Sequence, residues 1–407
     1  MLRIKLHWQI LIGLLVGIFC GLFLTNDVKY ITWLGDLFLR ALKMVIVPLV
    51  FSSIVSGVTN IGSGENLGRL GLKTILYYVS TSLFAILTGL FLVNLLQPGV
   101  GADLGFTKQV EGLAIAKESF GKTLLEIVPT NVFQSFTESQ MLQIIFFAII
   151  FGFFITKVDL KYQSNLTDFF NSTFEVMMKI TLFVIKFTPL GVLGIVAGVV
   201  AEQAGDKAAL LDIVGRLGLY MISVLLGLFI HAFITLPLIL RIVGKVNPLK
   251  HFQAMATPLI TAFTTSSSNA TLPLTMEAVE DNSGVSNKIT SFMLPLGATV
   301  NMDGTALYEC VAAIFIAQAY GIHLGFVQQV IVVVTALLAS IGAAGIPMAG
   351  LVMITVVLSA VGLPLEGVGL ILAVDRILDM CRTTVNVWSD SCGAVVVAKS
   401  EGEKLKV

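Results

Sequence analysis

The stretch Ile371-Leu-Ala-Val-Asp-Arg-Ile-Leu-Asp-Met-Cys-Arg-Thr-Thr-Val-Asn-Val-Trp-Ser-Asp-Ser-Cys-Gly-Ala-Val-Val-Val-Ala398 decides how the chain is read. It has the length and apolar content of a membrane-spanning helix, yet it carries Asp375, Arg376, Asp379, Arg382, Asn386 and Asp390. An ionisable group at bilayer depth costs roughly 2.5–3.5 kcal/mol on insertion scales, so such groups are rare and mark function. At about 100° per residue, Asp379, Arg382, Thr383, Asn386 and Asp390 fall within one narrow stripe. That stripe has to face the protein interior or a water-filled cavity, because lipid offers it no partner.

The surroundings support a membrane setting. Of 407 residues, 56% are hydrophobic and 12% charged, and the mean hydropathy is +0.93. Globular proteins carry about 25% charged residues. Apolar runs of about 20 residues recur along the whole chain, as spanning helices require. The fold class expected is an all-α polytopic membrane protein. The formal net charge is zero, which gives no basis for a nucleic-acid partner. Cys20, Cys310, Cys381 and Cys392 lie in apolar segments without CxxC spacing and read as small apolar fillers. The first segment has a basic start but no small-x-small cleavage site, so a retained first helix is expected.

In chain order, spans are expected at 8–24, 33–58 and 72–96, followed by a polar loop at 98–122. A span broken near Pro129 follows at 125–155, then a polar stretch at 157–168, a long segment at 169–200, and a span at 210–242. Counting Lys and Arg in short loops sets the orientation. With both termini cytoplasmic, the inner loops hold Arg3, Lys5, Arg69, Lys73, Lys157, Lys161, Arg241, Lys245, Lys250, Lys288, Lys399, Lys404 and Lys406. The outer loops hold only Lys29, Lys108, Lys117, Lys122 and Lys207.

After residue 247 the pattern changes. Residues 248–281 and 324–363 are apolar but are interrupted at their centres by TTSSSNATLP and ASIGAAGIPMAG. Each reads as a helical hairpin dipping partway into the membrane, since irregular backbone at that depth is tolerated only around a buried site. Each is followed by one helix with polar content, so hairpin-plus-helix occurs twice, an inverted-repeat pattern of the kind that places a transporter site at the hairpin tips. Asn301-Met-Asp-Gly-Thr305 reads as an unwound turn in mid-helix. Asn301, Asp303, Asn386 and Asp390, with Thr81 and Ser82, are hard oxygen donors that suit Na⁺ in an apolar surrounding. A fixed guanidinium at Arg382 suits a carboxylate, and a buried Asp379 needs a cationic partner such as an ammonium. The pair therefore reads as a site for an acidic amino acid.

At these residues the chain resembles the glutamate/aspartate:cation symporters, the family that includes the excitatory amino acid transporters. The motifs are Thr265-Ser-Ser-Ser-Asn-Ala-Thr-Leu-Pro273, Asn301-Met-Asp-Gly-Thr305 with Ala-Leu-Tyr-Glu309, Ala339-Ser-Ile-Gly-Ala-Ala-Gly-Ile-Pro347, and Asp379-x-x-Arg-Thr-x-x-Asn-Val with Asp390. The resemblance implies eight transmembrane helices plus two re-entrant hairpins and an elevator-type transporter. It also implies a homotrimer; a prokaryotic inner membrane is expected on a separate ground, that no eukaryotic-type long termini or glycosylated loop is recognised. The scaffold would comprise residues 1–70 and 98–207, the transport domain 71–97 and 208–398, and the cytoplasmic tail 399–407. It further implies a substrate site of Ser266, Ser267, Ser268, Thr305, Ile346, Gly350, Asp379, Arg382, Thr383 and Asn386. Three Na⁺ sets are implied: Gly297, Asn301, Asn386 and Asp390; Tyr78, Thr81, Ser82, Asn301 and Asp303; and Thr299, Met302, Ser340, Ile341 and Ala343. Glu309 stands where proton-coupled members carry Glu, which implies H⁺ co-transport on a carboxyl buried in a span.

Two departures stand out. An additional arginine usual in the family is absent from both its positions, here Ser266 and Met380, and Arg376 one turn earlier is the candidate substitute. Asn269 stands where serine is typical. The alternatives are a proton-driven C4-dicarboxylate or neutral amino acid symporter of the same fold, and, in another class, an ion channel, for which no ring-forming filter motif is present. An enzyme is not expected: HExxH is absent, and His231 and His251 fall outside the serine motif.

Overall fold

The computed structural model describes residues 6–24, 27–61, 68–101, 125, 127–202, 207–342 and 349–407. Among them every regular element is helical. The first group is α1 (Leu6–Phe23), α2 (Lys29–Ile61), α3 (Gly68–Leu96), α4 (Val132–Thr137), α5 (Met141–Ile155), α6 (Leu160–Ile185) and α7 (Thr188–Glu202). Then come α8 (Lys207–Ile230), a π-turn (His231–Thr235), α9 (Leu236–Ile242), α10 (Pro248–Ala254), α11 (Ala256–Thr265) and α12 (Ser268–Glu277). The last are α13 (Asn287–Val300), α14 (Asp303–Ala319), α15 (Phe326–Gly342), α16 (Ala349–Ala360) and α17 (Val368–Ser400).

Among the described residues, four helical stretches are long and apolar enough to cross a bilayer: Lys29–Thr59, Arg69–Leu96, Leu211–Ile242 and Asn287–Ala319. The pair α6 and α7, bent by 51°, would make a fifth. Residues 169–200 are therefore not one straight helix. The bend falls at Lys186–Phe187, and Pro189 in the first turn of α7 lacks the N–H that a continuous helix would need. Residues 160–168, expected as a polar stretch, are the first turns of α6, which begins directly after Asp159. Polar side chains do not preclude helix where one face is free of the core.

Helix α1 lies very close along α7. A Cβ at Gly13 would clash with Pro189 O, and one at Gly17 or Gly21 would sit 2.9 Å from Leu193 O or 2.8 Å from Ala197 O. These three glycines are spaced by four, one face of a helix, and their missing side chains let the two backbones touch. The α2 helix packs on α5, α6 and α7.

The second half of the chain surrounds α14, which is buried at all but one of its 17 positions and packs against α3, α8, α15, α16 and α17. Its predicted mid-helix break is present: Asn301 (φ −99°, ψ 89°) and Met302 (φ −119°, ψ 60°) leave the helical region between α13 and α14. The first interrupted segment is a helix–turn–helix. Ser266 adopts the left-handed conformation (φ 52°, ψ 37°) and Ser267 is extended, its Oγ accepting from Ala270 N to cap α12. The second is the α15/α16 pair, whose arms pack together; its centre at 343–348 lies outside the described residues, as does most of the 98–122 loop.

Candidate substrate and cation site

Arg382 is the largest fully buried side chain. Its Nη2 lies 2.9 Å from Asp379 Oδ1 and 3.1 Å from Asp375 Oδ1. Its guanidinium stacks on Tyr308, with Cζ 3.8 Å from the ring centroid. A Cβ at Gly350 would be 2.7 Å from Nη1, so the start of α16 can approach only because that residue is glycine. Nε and Nη1 are buried and donate to nothing among the described residues. The guanidinium is thus held through Nη2, and Nε and Nη1, on opposite sides of Cζ, remain as two separate donors, each able to take a carboxylate oxygen.

Arg382 therefore has anionic partners of its own, and a neutral amino acid would leave its Nε and Nη1 unsatisfied. Arg376 Nη1 stands 3.7 Å from Asp379 Oδ2 at a part-exposed position, so it reaches the same carboxylate from outside.

Asn386 and Thr383 lie on the same buried face of α17. Asn386 Oδ1 accepts from Gly304 N at 2.8 Å, and its Nδ2 donates to Thr305 Oγ1 at 3.2 Å. Its amide thus clamps the first turn of α14. Helices α11 and α12, on either side of the Ser266–Ser268 turn, both pack on α17, and all three serines are buried.

A second cluster forms around Asp303. Its Oδ1 accepts from Ser82 Oγ (2.6 Å) and Thr81 Oγ1 (3.3 Å). Its Oδ2 accepts from Ser389 Oγ (2.6 Å) and lies 2.9 Å from His231 Nε2. Pro237 explains the histidine's position: without its N–H the ladder cannot continue as α, and the π-turn at His231–Thr235 takes up the slack.

A third group joins α3, α13 and α17. Asn301 Nδ2 donates to Asp390 Oδ1 at 2.9 Å. A Cβ at Gly297 would lie 2.5 Å from Asp390 Oδ1 and 2.7 Å from Tyr78 OH, so both oxygens converge over that glycine. Tyr78 OH donates to Met293 O at 2.8 Å. Of the remaining expected residues, Thr299 Oγ1 bonds within its own helix to Leu296 O, and Ser340 Oγ to Leu337 O. Met302 is buried at the break. Ala343 and Ile346 lie outside the described residues, as does the Ile341 side chain. Glu309 is wholly buried in α14, and neither of its carboxyl oxygens has a hydrogen-bond partner among the described residues.

These clusters lie in the part of the chain where sequence comparison is also continuous. The profile of the sodium:dicarboxylate symporter family matches residues 6–400. The chain belongs to this family. This symporter is 37% identical to the proton/sodium-glutamate symport protein of Geobacillus stearothermophilus, over 99% of its own length and 96% of that protein's. It is 38% identical to excitatory amino acid transporter 3 of Homo sapiens, over 94% and 81%. With the proton/glutamate-aspartate symporter of Escherichia coli (strain K12) it shares 34% over 98% and 94%. It is a helical multi-pass membrane transporter, not an enzyme.

Four residues of the symporter's clusters have no site role in the motif reading: Asp375, Tyr308, His231 and Ser389. Asp375 lies seven residues before Arg382, two helical turns on one face, and that spacing is visible in the sequence. Tyr308 lies within the quoted Ala-Leu-Tyr-Glu309 stretch. Nothing in the sequence pairs His231 with Asp303, because they are 72 residues apart and meet only through the π-turn.

Proposed function

We propose that the chain carries acidic L-amino acids, glutamate or aspartate, inward on the Na⁺ gradient, with a proton co-transported on Glu309. The observation that carries this reading is the buried Arg382 guanidinium, with Nε and Nη1 uncommitted beside the Asp379 carboxylate. A substrate side-chain carboxylate accepts from an uncommitted Arg382 donor, and the α-ammonium pairs with Asp379. Asn386, Thr383, Thr305, Gly350 and the main chain at Ser266–Ser268 and Ile346 would bound the rest of the molecule. The relatives named for glutamate or aspartate symport support the same substrate class.

The Na⁺ sets are those around Asp390 (Gly297, Asn301, Asn386), around Asp303 (Tyr78, Thr81, Ser82, Asn301), and below the second hairpin (Thr299, Met302, Ser340, Ile341, Ala343). Their chemistry fits a hard cation: carboxylate, amide, hydroxyl and carbonyl oxygens in a dry surrounding. Movement would be of the elevator type. Residues 71–97 and 208–398 would slide as a unit against a scaffold of 1–70 and 98–207, with eight spans, two re-entrant hairpins, three copies per assembly and both termini on the cytoplasmic side of an inner membrane.

The test is uptake of labelled L-aspartate into proteoliposomes with Na⁺ and pH gradients imposed separately, for the native chain and Glu309→Gln. Uptake that requires Na⁺, with a pH gradient helping only the native chain, is the expected result. Uptake driven by a pH gradient alone would remove the Na⁺ assignments. No aspartate uptake under either gradient would remove the substrate assignment.

A further inference from the structure

Ser389 has no place in the motifs read from the sequence, yet its hydroxyl lies between two of the clusters described above. Its Oγ donates to Asp303 Oδ2 at 2.6 Å and accepts from Asn301 Nδ2 at 3.1 Å. The same Asn301 nitrogen donates to Asp390 Oδ1 at 2.9 Å. A continuous chain therefore runs Asp303–Ser389–Asn301–Asp390, and all four side chains are buried.

The consequence lies at Asn301. With its two amide protons committed to Ser389 and Asp390, its carbonyl Oδ1 is turned the other way. That oxygen is buried and accepts no hydrogen bond among the described residues. A buried amide oxygen without a donor is destabilising unless something else satisfies it, and a hard monovalent cation does so. The reverse orientation of the amide would face its carbonyl toward the Asp390 carboxylate and its NH₂ away from both anchors. The network itself thus selects the orientation.

We infer that Ser389 is a positioning residue for cation binding, holding the Asn301 amide so that Oδ1 is presented to Na⁺. The assignment rests on the Na⁺-coupled reading above and adds to it a residue outside the ligand sets. Because Asn301 belongs to both the Asp390 and Asp303 sets, one hydroxyl serves two cations. Its bond to Asp303 ties the second carboxylate to the same orientation. Removing the hydroxyl frees one of the two anchors of the amide, so cation affinity falls at both sets together, and their mutual dependence weakens.

The experiment is Na⁺ activation of labelled L-aspartate uptake in proteoliposomes for the native chain, Ser389→Ala and Ser391→Ala. Ser391 is two residues along the same helix, where its Oγ bonds Trp388 O and His251, so it controls for general damage to α17. The Ser389→Ala curve is expected to shift to about tenfold higher Na⁺, the size of one charge-assisted hydrogen bond. Its Hill coefficient is expected to fall toward one, with the rate at saturating Na⁺ within about twofold of native. Ser391→Ala is expected to follow the native curve. Should Ser389→Ala fail to assemble, Ser389→Gly removes the same hydroxyl and is read in the same way. A Ser389 variant whose Na⁺ curve overlays a steep native curve overturns this assignment alone. A native curve that is flat in Na⁺ overturns both it and the Na⁺-coupled reading. A loss of maximal rate with no change in half-activating Na⁺ or slope overturns the positioning role.

Discussion

Arg382 is held at Nη2 by Asp375 and Asp379 and stacked on the Tyr308 ring, and its Nε and Nη1 are left open. A lysine at this position keeps the charge but loses the planar fork, and its three donors would be claimed by the two carboxylates already present. Arg382→Lys is therefore expected to lower kcat/KM for aspartate uptake at least about thirtyfold, in line with about 2–5 kcal/mol for breaking a buried charge pair. Saturation kinetics on labelled aspartate check this. Gly350 sets the distance. Its missing Cβ would stand 2.7 Å from Nη1 and 3.3 Å from Thr305 Cγ2, and the anchored guanidinium has little room to retreat. Gly350→Ala is expected to raise the KM for aspartate about tenfold while leaving Na⁺ half-activation at saturating aspartate near native, since a misplacement of about 1 Å suffices for such a loss.

At the scale of elements, the α1–α7 contact depends on three glycines spaced by four. Gly17→Leu would force a side chain against the α7 backbone at Leu193 and separate the helices. A destabilisation of about 1–3 kcal/mol is expected, the usual result of overpacking, read as a lower melting temperature of the detergent-solubilised protein. The C-terminal end of α17 makes a different contact. Glu401 pairs with Arg69 and with Lys73 (2.6 Å) at the start of α3. Hydrogen bonds from Arg69, then Lys73, hold its carboxyl down to about 2. A carboxylate whose pKa is lowered on folding stabilises the fold above its ordinary value near 4.5 and loses that contribution as pH falls through about 2. The group is exposed, so the contribution is small and screened by salt. Glu401→Gln is expected to lower the melting temperature slightly at pH 7 and low ionic strength. The difference should vanish near 1 M salt and at a pH below the lowered value.

At the scale of the whole molecule, α2 and α5 meet α3, α13 and α15 around a cavity of about 180 Å³ lined by Ile54, Val58, Ile149, Val300, Leu337 and Leu338. The proposed scaffold and mobile unit touch there through apolar side chains, a contact without directional bonds that suits sliding. Cysteines placed at Ile54 and Leu338 in a cysteine-free background and joined by a short bifunctional reagent are expected to abolish uptake while leaving aspartate binding to the solubilised protein intact. Uptake that survives complete cross-linking would exclude a sliding movement at this surface.

Much of this was legible in the sequence, for stated reasons. The polar stripe on α17 could be read because helical periodicity puts Asp379, Arg382, Asn386 and Asp390 on one face whatever they pack against. The Asn301–Met302 break could be read because polar and glycine residues within an apolar run make a continuous helix costly in lipid. Family membership followed from four motifs in order. Other features needed the tertiary structure. The bend before α7 and the early start of α6 depend on Pro189 and on which face meets the core, neither of which hydropathy reports. The Asp303–His231 and Asp303–Ser389 contacts join residues 72 and 86 positions apart. Local composition determined which groups are buried in this protein; long-range packing decided which buried groups satisfy one another, because a hydrogen bond depends on where two backbones meet in space and not on either residue's neighbours along the chain.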